Sequence, residues 1–171
     1  MIQFDFRTDV LPLKDELFRL ALRITLNRAE AEDVVQETML KVWNRREQWA
    51  ELDSIEAFCL TICRNLALDR SKLAERQNAS LDAGIDTADH SYNANPEEQT
   101  VQRDRVELVR RLIDQLPEKQ RSCMQLRDIE GKSYKEIAEV MGITEQQVKV
   151  NIFRARQTIK QKYSETEQYG L

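Results

Sequence analysis

Lys149, Arg154, Arg156, Lys160 and Lys162 crowd into residues 145–162, where Glu145 is the one acid. A merely solvated helix mixes its signs. A run this basic suits contact with phosphates, and polar side chains among the cations suit base edges. The candidate contact set is Gln146, Gln147, Lys149, Val150, Phe153, Arg154 and Arg156.

These side chains read a duplex only if other elements hold their helix in the groove. Residues 133–156, SYKEIAEVMGITEQQVKVNIFRAR, supply such elements. Ser133 and Glu136 form an S-x-x-E capping box that starts one helix. Ile137, Ala138 and Met141 give it an apolar stripe, and small Ala138 lets a neighbour cross closely. Gly142 stands where the chain must turn with positive φ. Thr144 and Gln147 form a second box, and Val148, Ile152, Ala155 and Ile159 recur at helical spacing on the inward face. The pattern is a helix-turn-helix, which lays its second helix in the DNA major groove. Two short amphipathic helices around a glycine also occur in proteins that never touch DNA; the charge favours the DNA reading.

The composition predicts an all-α chain. Glycine (4) and proline (3) are scarce among 171 residues, while Leu, Ala, Glu, Lys, Arg and Gln abound. In the first half, one helix is expected over Lys14–Leu26 with Leu17, Leu20, Ala21 and Ile24 inward. An N-x-x-E box at Asn27 and Glu30 opens a second, to about Trp49. Asp53 and Glu56 open a third, to about Arg76. Residues 77–95 contain no lysine or arginine and read as a flexible acidic linker. Asn95-Pro96-Glu97-Glu98 then starts a helix running to about Gln115. Pro117 opens another that ends near Gly131, and a polar tail follows the helix-turn-helix. The expected layout is two small helical domains, residues 10–76 and 96–163, joined by that linker.

Two further surfaces attract attention. On the second helix, Asp33, Gln36, Glu37 and Leu40 lie away from the apolar face of Val35, Met39 and Val42, with Trp43 beside that face. An exposed leucine among acids suits a basic partner helix; an ordinary solvated face is the alternative. On the third helix, Thr61, Arg64, Asn65, Asp69 and Lys72 are expected outward, with Arg70 and Arg76 nearby. Arg, Asn and Lys together suit phosphates and a base edge, and here too a solvated face is the alternative.

AEDVVQETMLKVW, AFCLTICRNLALDR and LPEKQRSCMQLRDIEGKSYKEIAEVMGITEQQVKVNIFRAR resemble the bacterial sigma factors of the extracytoplasmic-function group. These are minimal sigma-70-like factors built from sigma domains 2 and 4. The resemblance runs over about residues 10–163, as two blocks in order. It implies a factor that binds core RNA polymerase and directs it to a promoter. Domain 2 would dock on the clamp helices of the largest catalytic subunit through Asp33, Gln36, Glu37, Leu40 and Trp43. It would also recognise the −10 element and capture an unstacked base, with Asn65 at the family's position for this and Arg64, Asp69 and Arg70 alongside. Domain 4 would read the −35 element through Lys149, Val150, Phe153 and Arg154, with Arg156 near phosphate, and would contact the flap of the second subunit. Relatives commonly have an anti-sigma partner. Val150-Asn151 replaces the Ser-Arg of many relatives, so Val150 offers a thymine methyl contact in place of a hydrogen bond. Phe58 is expected to fill the core space of a tryptophan found in relatives.

A 19-residue tether reaches at most ~65 Å, and two turns of B-DNA measure about 70 Å. The domain widths close the difference, so one chain can engage two promoter elements. The net charge is −4, with no basic and five acidic residues in 79–100. That total points to weak DNA binding alone and action within a larger complex. Three cysteines argue against a disulfide framework. Cys59 and Cys63, four apart, are better read as core than as a metal pair. The single histidine is His90. With no phosphate-cradling glycine loop, the expectation is no catalysis, no cofactor and no metal. The N-terminus carries acids and lacks a signal-peptide core, and no apolar run approaches the ~20 residues of a membrane span; a cytoplasmic protein is expected. The rival reading is a stand-alone helix-turn-helix regulator acting as a symmetric dimer.

Overall fold

The computed structural model describes residues 3–81 and 101–168. A π turn over Phe6–Val10 and a 3-10 turn over Leu11–Leu13 lead into α1, Lys14–Thr25. Leu17, Leu20, Ala21 and Ile24 are buried along it, as their spacing requires. Helix α1 ends at Leu26, which sits in the left-handed region at φ 56° and returns its N–H to Leu22. That conformation costs a branched residue about 1 kcal/mol. Leu26→Gly is therefore expected to stabilise the fold. The gain is offset in part by glycine's freedom in the unfolded chain, leaving a rise in melting temperature of roughly 1–3 °C. A fall on thermal unfolding would show that the Leu26 side chain contributes more than the strain removes.

Asn27 then caps α2, Arg28–Asn44, its side chain accepting from the Glu30 N–H at 3.0 Å. The helix stops five residues short of Trp49. Arg45 leaves helical geometry and a 3-10 segment, Arg46–Glu51, turns the chain back. Trp49 thereby buries its ring and donates its indole N–H to the Val42 carbonyl at 3.1 Å. Helix α3, Ile55–Leu81, is capped by Ser54, not Asp53: the Ser54 hydroxyl accepts from the Ala57 N–H. It also runs past Arg76, five residues into the stretch assigned to the linker. Residues 82–100, including His90 and the Asn95-Pro96 start signal, lie outside the described residues.

The second lobe comprises α4 (Val101–Asp114), α5 (Glu118–Met124), a π turn (Gln125–Ile129), α6 (Tyr134–Met141) and α7 (Glu145–Gln168). Helix α7 continues past residue 163, so the expected polar tail is helical as far as Gln168. Gly131 (φ 71°) and Gly142 (φ 67°) turn the chain before and after α6. Among the described residues there is no strand.

The two lobes pack against each other. Helix α5 lies on α1, and α6 lies on α3. Ile137, Val140 and Met141 of α6, with Cys123, Leu126, Val148 and Ile152, join the buried residues of α1–α3 in one apolar cluster. A smaller cluster of Ile113, Leu116, Met124 and Ala155, edged by Val109 and Ile159, holds α4, α5 and α7 together. Phe58 is half-buried and packs against the larger cluster.

Candidate functional site

A serine cap opens α6 and a reciprocal capping box opens α7. The Ser133 hydroxyl accepts from the Glu136 N–H at 3.1 Å and donates to the Glu136 carboxylate. The Thr144 hydroxyl accepts from the Gln147 N–H at 3.1 Å, and the Gln147 side-chain oxygen accepts from the Thr144 N–H at 2.9 Å. Val148, Ile152 and Ala155 are buried beneath α7. The opposite face exposes Gln146, Lys149, Phe153 and Arg154, with Val150 half-buried among them. Phe153 is 61% exposed, a large apolar ring held out among cations. The Lys149 ammonium lies 5.4 Å from the centre of the Tyr134 ring, and Arg127 stacks on the same ring at 4.3 Å. Tyr134 thus steadies a member of the exposed basic face, a role its sequence position did not signal.

Two of the seven α7 residues are already engaged. Gln147 serves the cap. Arg156 is held by both oxygens of Asp128, with Nε to Oδ2 at 3.1 Å. That hydrogen bond raises the guanidinium pKa above its ordinary value.

On α3, Asn65, Asp69 and Lys72 are exposed, and Thr61 donates its hydroxyl to the Ala57 carbonyl at 2.7 Å. One expectation here needs correction. Arg64, expected outward, is 7% exposed and held by both oxygens of Glu118, at 3.2 and 3.0 Å. The second lobe covers it. Arg70 gathers with the α2 acids: 2.9 Å to Glu30, 3.2 Å to Glu37 and 3.7 Å to Asp33. Hydrogen bonds to Glu30 and Glu37 keep its pKa raised.

On α2, Leu40 is 64% and Trp43 45% exposed. They border an apolar cleft of about 670 Å³ completed by Phe6, Leu11, Val35, Gln36, Met39 and the Lys14 stem. Phe6, Leu11 and Lys14 are functional candidates that the sequence reading missed. Phe6 meets Trp43 edge-on at 5.4 Å and stacks on Trp49 at 6.5 Å, which builds the cleft wall. An aromatic pair just before the first helix, Phe4 and Phe6, was the available signal. Arg46 lies over the Trp43 ring at 4.6 Å.

All three cysteines are buried. Burial pushes the Cys59 and Cys63 thiols up to about 12 and Cys123 up to about 11. Thiols so raised are held in the protonated, weakly nucleophilic form at neutral pH. Among the described residues no cluster of three or more His, Cys, Asp or Glu is placed to hold a metal. Nor is any helix there long and apolar enough to cross a membrane.

Residues 10–77 match the family described as Sigma-70 region 2, and residues 107–159 match Sigma-70, region 4. The chain is 31% identical over 145 residues to the ECF RNA polymerase sigma factor SigL of Mycobacterium tuberculosis, covering 84% of this chain and 80% of the relative. It is 31% identical over 157 residues to the RNA polymerase sigma-H factor of Pseudomonas aeruginosa, covering 88% and 81%. Among solved structures, the fold matches the sigma factor RpoE in complex with the anti-sigma factor NepR from Bartonella quintana. That match has a TM-score of 0.72 and 22% identity, over 92% of this chain and 95% of that one. CnrH in complex with the cytosolic domain of CnrY matches with a TM-score of 0.65 and 20% identity, over 91% and 84%.

Proposed function

The chain belongs to the extracytoplasmic-function group of sigma-70 factors, and from that membership we propose how its two lobes divide the work. It is a sigma factor: it binds core RNA polymerase and directs promoter-specific initiation. Helices α1–α3 form the lobe that docks on polymerase and handles the −10 element, and α4–α7 the lobe that reads the −35 element. The observation that carries this division is the recognition helix. It buries Val148, Ile152 and Ala155 while exposing Gln146, Lys149, Phe153 and Arg154 behind an αL turn at Gly142. A helix so anchored presents one face to a groove.

Polymerase docking falls to the α2 face and its cleft, with Leu40 and Trp43 as apolar anchors and Asp33, Gln36 and Glu37 as the polar rim. Arg70 belongs to this group: it orders the acids that a basic clamp helix would meet. Asn65 and Asp69 on α3 face outward to take the displaced −10 strand, with Lys72 toward its phosphates. The protein turns over no substrate and works in the cytoplasm, where polymerase and promoters are. An anti-sigma factor is a fitting further partner, since both matched structures are sigma factors bound to one. The two-lobed asymmetry, with a separate docking face, disfavours a symmetric dimeric regulator.

Transcription in vitro with core polymerase, with mapped start sites, tests the assignment. Within it, Asn65→Ala is expected to weaken open-complex formation far more than closed-complex binding. An unstacked base must be held against restacking. Permanganate reactivity of the −10 region, set beside duplex binding, separates the two steps. Equal losses in both would make Asn65 a structural residue.

A further inference from the structure

Up to residue 162, helix α7 carries Lys149, Arg154, Arg156, Lys160 and Lys162 against the single acid Glu145. Among the described residues, Arg156 alone of these five cations is paired with a carboxylate. Asp128, on the π turn Gln125–Ile129 and 28 residues earlier, holds it. The Arg156 Nε donates to Oδ2 at 3.1 Å, and a terminal nitrogen donates to Oδ1. A carboxylate that takes both nitrogens fixes the plane and the direction of the guanidinium. The pair is not buried: the side chains are 52% and 32% exposed. Pairs this exposed contribute little to stability as a rule.

The register of α7 gives the pair another meaning. Lys149, Phe153, Arg156 and Lys160 recur at i, i+4, i+7 and i+11, a single stripe along the helix. All four are exposed. Arg156 therefore stands in line with two other cations of the basic face. A phosphate offers an arginine the same pair of oxygens that Asp128 does, and the two cannot hold one edge at once. We propose that Asp128 is a positioning residue that withholds Arg156 from the DNA backbone, so that α7 grips DNA with one phosphate contact fewer than its cations offer. The proposal rests on the reading that α7 meets the −35 duplex.

A phosphate contact is blind to sequence. It adds to the affinity for every duplex alike and steepens the loss of affinity with salt. Withholding one loosens the hold on all DNA and leaves the contrast between promoters to the residues that read bases. The net charge of −4 acts in the same direction. A factor that must find few promoters among very many other sites gains from this, because the blind contacts set how long it stays at a wrong one.

Holoenzyme assembled from core polymerase and the full chain reads the effect. It is titrated against a promoter duplex, and against the same duplex with a scrambled −35 element, over a range of KCl and held cold so that the duplex stays closed. Asp128→Asn and Asp128→Ala are each expected to raise affinity for both duplexes by one factor, about 3- to 10-fold at ~0.1 M KCl. The slope of log K against log[salt] should steepen by ~0.9, the value of one phosphate. The ratio between the duplexes stays unchanged. Arg156→Gln alters neither slope nor ratio, since that side chain is already withheld. In the Arg156→Gln background, Asp128→Asn loses its steepening, which separates release of Arg156 from the mere loss of an acid near DNA. A wild-type slope in both Asp128 variants would overturn the proposal. So would matched losses of promoter affinity in Asp128→Asn and Arg156→Gln, which would make the pair a brace for α7. A slope flattened by ~0.9 in Arg156→Gln alone would overturn it too, since Arg156 would then already meet phosphate. Arg154→Ala, measured alongside, tests the underlying reading: an unchanged ratio there means that α7 does not read the −35 element, whatever Asp128 does.

Discussion

Leu40→Ala combined with Glu37→Lys is expected to abolish co-purification with core RNA polymerase while the chain stays folded. Leu40 is 64% exposed and contributes little to the core, so its truncation leaves no cavity. At an interface, a lost anchor of this kind costs about 2 kcal/mol or more, and a reversed charge adds to it. With about 2 kcal/mol lost at each position, the double variant should lose roughly three orders of magnitude in affinity. Glu37 does bind Arg70 within the chain. That pair is more than a third exposed on the acid side, so breaking it costs the fold no more than about 1 kcal/mol. Trp43 would be a poorer choice, because its ring also packs on Phe6 and Trp49. Circular dichroism confirms the fold and pull-down reads the binding. Intact co-purification of the folded variant removes the α2 face from the docking assignment.

Arg154→Ala is expected to lower promoter-specific transcription about 10- to 100-fold, the loss of a contact of ~1–3 kcal/mol. Arg154 is exposed, and Arg156, two residues on, is held by Asp128. The reading face thus concentrates on Arg154, Lys149, Phe153 and Val150. Transcription from a panel of −35 variants should show Arg154→Ala flattening the preference at one position. Val150→Ser should change preference at one base and leave affinity elsewhere largely alone. Lys149→Ala should reduce the salt dependence of binding if its ammonium meets phosphate. Identical −35 profiles for the wild type and the Arg154 and Val150 variants would show that α7 does not read the bases.

The local structure was legible because its causes are local. The Thr144–Gln147 box formed as written, and Ser133 caps α6 as expected, although the Glu136 carboxylate takes the Ser133 hydroxyl and not its N–H; all four find their partners three residues away. The apolar periodicity of α1 and α7 likewise names the residues that are buried. What escaped the sequence depends on distant partners. Arg64 looks outward on its own helix and becomes buried only because Glu118, 54 residues on, covers it. Trp49 leaves α2 to bury its ring, a tertiary gain that no helix signal announces. The cleft beside Leu40 needs Phe6 and Leu11, brought there by turns that precede the first helix. For the reading face, the residue types were visible, while the engagement of Arg156 and the support from Tyr134 appear only once the lobe is folded.

The aromatic knot of Phe6, Trp43 and Trp49 makes the chain optically simple. Its tryptophans number two, and both sit in that knot. One indole is sealed in the core and the other stands half in water at the rim of the α2 cleft. The emission of the free chain is therefore a single dry-and-wet pair, and only the wet member has water left to lose. A red-absorbing tryptophan analogue placed at both positions would set this chain's light apart from that of a larger assembly. A blue shift on mixing would then time the arrival of a partner at α2, with no dye attached and no residue changed at the DNA-facing surfaces.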